Sequence, residues 1–129
     1  MTNRSMQTPL GRVRGLGSAK EGVDHWWLQR LTAVAQVPLV LWFIVSLVGM
    51  TGSSHDEVLA WLSHPIVTVL TVLLVVSLYY HAKLGLQVVI EDYVSSEGRR
   101  LVALTLMKFG LILAGSSTLL AVLKIAFGR

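Results

Sequence analysis

The chain has 129 residues, of which 53% are hydrophobic and 14% charged, with a formal net charge of +4 and no cysteine. A soluble domain ordinarily carries about 25% charged residues, so this composition points to lipid as the solvent and excludes an ordinary water-soluble enzyme domain. Without cysteine there are no disulfides, no iron–sulfur ligands, no thiolate metal site and no C-x-x-C-H attachment for covalent haem.

Residues 1–23 contain Gly11, Gly15, Gly17 and Gly22, one proline and scattered basic residues. That composition predicts an extended or irregular segment lying along the membrane face or on a partner. It has no apolar h-region, so no cleavable signal peptide is expected. Five of the eleven basic residues (Arg4, Arg12, Arg14, Lys20 and Arg30) lie in or just after it. This distribution fits membrane topology rather than nucleic-acid binding.

The remainder, residues 24–129, reads as one all-α membrane unit of three transmembrane helices. Asp24 is a plausible N-cap for a first helix opening at His25-Trp26-Trp27, whose indole rings suit the headgroup level. The first span is expected over about 25–50, the second over about 65–92 and the third over about 101–127. Each exceeds the roughly 20 residues needed to cross the hydrocarbon core. Between the first two, Thr51-Gly52-Ser53-Ser54 is a turn cluster, followed by a short amphipathic piece from His55 and then by Pro65 at a helix start. Between the last two lies a polar joint ending in Arg99 and Arg100. The basic tail and second joint predict a cytoplasmic N-terminus, and the acidic first joint, with Asp56 and Glu57, an outside position. The C-terminus is then also outside.

An ionisable side chain inside a span costs a few kcal/mol on the gentlest scale. His81 lies about 14 Å from the cytoplasmic end of the second helix, too deep for an imidazole to reach water. A neutral imidazole there can ligate haem iron or can hydrogen-bond between helices, and the spacing allows either. Ser77, His81, Gly85 and Asp92 fall on one stripe of the helix, and Gly85 removes bulk one turn below the imidazole. Lys83 points to the opposite face. The other histidines, His25, His55 and His64, lie at interfaces or in joints. A haem held by two histidines would therefore need its second ligand from another subunit.

Asp92 and Tyr93 close the second helix at the cytoplasmic boundary, where a carboxylate and a phenol can meet a quinone carbonyl and relay protons, or can simply end a helix. Arg30 enters the membrane on the same side, where its fork can pair with a carboxylate or serve as a topology anchor. Lys108 and Lys124 can snorkel and carry no assigned role. Gly110, Gly115, Ser116 and Ser117 are expected to let helices pack closely.

Together these residues resemble a known family. The run Gly22-Val23-Asp24-His25-Trp26-Trp27-Leu28-Gln29-Arg30-Leu31-Thr32-Ala33, the His81-x-x-x-Gly85 pair with Asp92-Tyr93 beyond it, and the tail run from Gly11 to Gly17 are similar to the hydrophobic membrane anchor subunit of succinate dehydrogenase, respiratory complex II. The likeness is to small alphaproteobacterial versions. The resemblance implies a multi-pass protein of the bacterial inner membrane with no catalytic residue of its own. It implies packing against a second three-helix anchor, the cytochrome b subunit, below an iron–sulfur subunit and a flavoprotein subunit that carry the iron–sulfur clusters and FAD. His81 would be one axial ligand of a b-type haem shared with the second anchor, Arg30 would lie near a haem propionate, and Tyr93 with Asp92 would contact ubiquinone.

Two other readings remain. A small transporter or proton-relay subunit would line one cavity with His81, Lys83 and Asp92 and would break its helices near the midplane, whereas these spans are expected to be continuous. A haem-free anchor, as in some fumarate reductases, would leave His81 without a metal.

Overall fold

The computed structural model describes residues 8–15 and 20–128, with Arg12, Lys20 and Glu21 described as backbone only. Arg4, Leu16 and Gly17 of the expected basic, glycine-rich tail lie outside the described residues.

The tail contains a short helix, α1 (Pro9–Val13), where an irregular segment is expected. Proline suits the first helical position, and the Thr8 hydroxyl accepts the Gly11 N–H at 3.1 Å, capping the turn. Gly15 follows with φ 66°, a left-handed value that glycine adopts without strain.

The first long helix, α2 (Lys20–Gly49), begins four residues before the expected cap at Asp24. Asp24 therefore sits inside the helix near its start, where its charge favours the N-terminal dipole. The helix continues through Pro38, an interruption signal that the expectation of continuous spans leaves out. Proline removes one backbone donor, and transmembrane helices tolerate this when neighbouring groups satisfy the freed carbonyl.

The first joint turns at Gly52, φ 90°, and enters α3 (His55–Leu62) through a capping box. Here the Ser54 N–H donates to Glu57 Oε2 at 2.6 Å and the Glu57 N–H donates to Ser54 Oγ at 3.3 Å. Trp61 of α3 stacks on Trp42 of α2 at 6.0 Å between ring centroids. The Ser63 hydroxyl donates to the Ile125 carbonyl, joining this corner to the end of the last helix.

The second span is α4 (Pro65–Tyr93) and the third α5 (Glu97–Phe127). α4 is central: α2 packs on one of its faces and α5 on another, and α2 and α5 make no close backbone approach to each other. Its buried residues, Thr68, Thr71, Leu74, Val75 and Leu84, are nearly the whole interior, joined by Gly115 of α5. Most large apolar side chains on the three spans face outward. In water this would be an aggregating surface; in a bilayer it is the face that lipid or a partner covers.

Candidate functional site

The α2–α4 seam is polar along one edge. Thr32 and Gln36 stand one turn apart on α2, and Ser77 and His81 one turn apart on α4. The Gln36 amide donates to the Ser77 carbonyl at 3.0 Å, and the Ser77 hydroxyl donates to the Thr32 carbonyl at 3.3 Å. Thr32 Oγ1 lies 3.0 Å from His81 Nδ1. Interhelical hydrogen bonds of this kind contribute about 0.6–2 kcal/mol each in lipid.

The Thr32 hydroxyl carries one proton, and the Leu28 carbonyl at 2.7 Å is its closest acceptor. With that proton committed, the oxygen offers only lone pairs to the imidazole. In that arrangement Nδ1 is the donor to Thr32 and Nε2 keeps its lone pair; in the other tautomer the hydroxyl donates to Nδ1. The ring is half-buried. One turn below, a Cβ on Gly85 would meet no atom of the described residues within 4 Å, so they leave space beside the stripe.

Asp92 and Tyr93 are the last two residues of α4, both exposed, with Tyr93 85% accessible. They stand about 16–18 Å along the helix from His81, too far for direct contact. Arg30 stacks its guanidinium on the Trp26 ring at 5.1 Å. It lies about 200° around α2 from Thr32, on the side turned away from the His81 seam.

Lys83 lies where its helical angle placed it, away from His81. Its ammonium sits over the Tyr80 ring at 5.4 Å and borders a groove between α4 and α5. That groove is lined by neither His81 nor Asp92, whereas an ion path would bring the three side chains into one cavity. On the α5 side, Gly115 is buried beneath Tyr79, whose ring would stand 3.3 Å from an added Cβ, and the Tyr79 hydroxyl bonds Thr118 at 3.0 Å. Gly115 thus serves close packing, as expected, whereas Gly110 faces open space.

The sequence profile of the succinate dehydrogenase/fumarate reductase transmembrane subunits matches residues 4–121. The chain belongs to that family. It is 39% identical over 84 residues to the succinate dehydrogenase hydrophobic membrane anchor subunit of Rickettsia bellii, covering 65% of this chain and 67% of the relative. Against the subunit of the same name from Paracoccus denitrificans the identity is 31% over 103 residues, 80% of each chain. The succinate dehydrogenase membrane anchor subunit of Reclinomonas americana is 29% identical over 92 residues, 69% of this chain and 77% of the relative. Three apolar helices in a chain of this family fit a multi-pass protein of the bacterial inner membrane.

The seam of this membrane subunit contains two residues to which sequence reasoning gave no role, Thr32 and Gln36. Their signal was present: two polar side chains at i and i+4 inside an apolar span must find partners on a neighbouring helix. Which helix, and which atom, depended on the packing of α2 against α4.

Proposed function

We propose that this chain is the membrane anchor of a succinate:ubiquinone oxidoreductase, with its N-terminus cytoplasmic and its C-terminus outside. It supplies one axial ligand to a b-type haem and part of a ubiquinone site. The observation that carries the proposal is the Thr32–His81 hydrogen bond at 3.0 Å, which engages Nδ1 and, with Nδ1 as the donor, leaves the Nε2 lone pair for a metal. An axial histidine is held this way, its second ring nitrogen donating to a fixed acceptor. The open space beside Gly85 is consistent with a porphyrin edge or a partner helix next to the imidazole.

The chain offers one intramembrane histidine, so the second axial ligand comes from a second anchor subunit. When bound, the haem supplies one-electron storage within the membrane. Arg30, at the level where the first span enters, is the cation proposed for a haem propionate, which it reaches only by leaving Trp26 and swinging around α2 toward the His81 seam. Tyr93 and Asp92, exposed at the end of α4, contact the quinone: the phenol donates to a quinone carbonyl and the carboxylate passes protons from the cytoplasmic surface. Succinate oxidation, FAD and the iron–sulfur clusters belong to a flavoprotein and an iron–sulfur subunit docked on that surface.

The test is a reduced-minus-oxidised visible spectrum of the complex purified through this chain, in wild type and with His81→Ala. A b-type band lost or displaced in the variant, with flavoprotein and iron–sulfur subunits present, is the expected result. A wild-type complex without haem leaves a haem-free anchor, as in a fumarate reductase, and removes His81 as a ligand.

A further inference from the structure

A groove with a volume of about 370 Å³ runs between α4 and α5, and neither haem nor quinone contacts explain it. Two lysines, Lys83 and Lys108, line it. Lys83 is ten residues from the end of α4 and Lys108 eleven from the start of α5, so both sit about 15–17 Å in from the same ends of the two helices. Cations at that depth are expensive and take a counter-charge where one is available. Among the described residues, neither lysine pairs with a carboxylate, and the Lys83 ammonium lies over the Tyr80 ring.

From Lys108 the groove continues past Leu111, Ile112 and Ser116 to Leu119, a trough about 16 Å long. Val76 of α4 forms part of its wall. A cationic end with an apolar trough leading away from it has the shape of an amphiphile, an anionic head followed by an acyl chain. A lone carboxylate from a neighbouring protein would answer the lysines but would leave the trough without purpose.

We infer that this groove binds one anionic phospholipid, its phosphate between Lys83 and Lys108 and one acyl chain along Leu111, Ile112 and Leu119. Snorkelling brings the two ammonium groups toward the headgroup level, and the phosphate is drawn a few ångströms inward to meet them. The site is independent of the haem and quinone reading.

The experiment uses the assembled complex in nanodiscs of phosphatidylcholine carrying a minor fraction of phosphatidylglycerol, with native mass spectrometry counting the phosphatidylglycerol retained. The wild type is expected to keep one molecule more than the Lys83→Met/Lys108→Met double variant, and the double arginine variant to keep it. Ile112→Trp fills the trough while leaving both lysines, and it is expected to expel the lipid with the subunits still assembled. Equal retention in wild type, methionine and tryptophan variants overturns the proposal. Unchanged retention by Ile112→Trp together with loss of subunits from the methionine variant also overturns it, and assigns the lysines to a partner's carboxylate.

Discussion

With the Thr32 hydroxyl donated to the Leu28 carbonyl 2.7 Å away, its oxygen is an acceptor on another helix for His81 Nδ1 at 3.0 Å. Thr32→Val removes that acceptor and frees the imidazole to rotate or change tautomer. On the proposed function, haem affinity is expected to fall about 10–100-fold, the usual effect of losing an outer-shell partner, with Thr32→Ser restoring it; haem per complex, measured by absorbance, is the readout. Glu57 is a second residue whose environment has a clear direction. The Ser54 N–H, and after it the Ser54 side chain, hold its carboxyl below the ordinary carboxylate range. Its folded pKa lies under its unfolded one, so its contribution to the cap is present at neutral pH and lost as pH falls through the folded value. Acidification is expected to loosen the start of α3, seen as a change in fluorescence of the Trp42–Trp61 stack, and Glu57→Gln is expected to abolish that pH dependence.

Among the three spans, α4 packs against both of the others, while α2 and α5 each pack against α4 alone. The α4–α5 contact depends on the absence of a side chain at Gly115. Gly115→Leu would drive Cβ and the atoms beyond it into Tyr79, at a cost of about 1–3 kcal/mol for overpacking. Gly110→Leu meets only open space and is expected to be neutral. Thermal stability of the purified complex distinguishes the two. The joints are also informative at this scale. The chain contains no cysteine, so Ser53→Cys and Ser95→Cys each introduce a unique thiol, in the first and second joints. With the proposed orientation, an impermeant thiol reagent applied to intact cells labels the first and not the second; the reverse pattern inverts the topology.

Considered as a whole molecule, the chain has a small interior and a large apolar exterior, and it is complete only in lipid and with its partners. Gly85 shows the difference. A Cβ there would meet no atom of the described residues within 4 Å, yet on the proposed function it faces the haem or the second anchor. Gly85→Phe is therefore expected to leave helix content in detergent unchanged while reducing haem or co-purifying subunits. Retention of both at wild-type levels would show that this face is unoccupied.

The sequence by itself determined three spans, their joints and the position of the ionisable residues, because burial of a backbone in hydrocarbon demands long apolar helices and makes every charge within them conspicuous. It also placed Ser77, His81 and Gly85 on one stripe and Lys83 on the opposite side, since helical periodicity is a local property. Local signals were less decisive where they competed: the cap residue Asp24 lost to a helix starting at Lys20, and Pro38 did not stop α2. Only the tertiary structure decided that α4 is the central helix, that Thr32 meets His81, and that Lys83 and Lys108 border the same groove. These are pairings between residues 25 to 49 positions apart, and helical periodicity says which face a residue occupies but not which helix that face will meet.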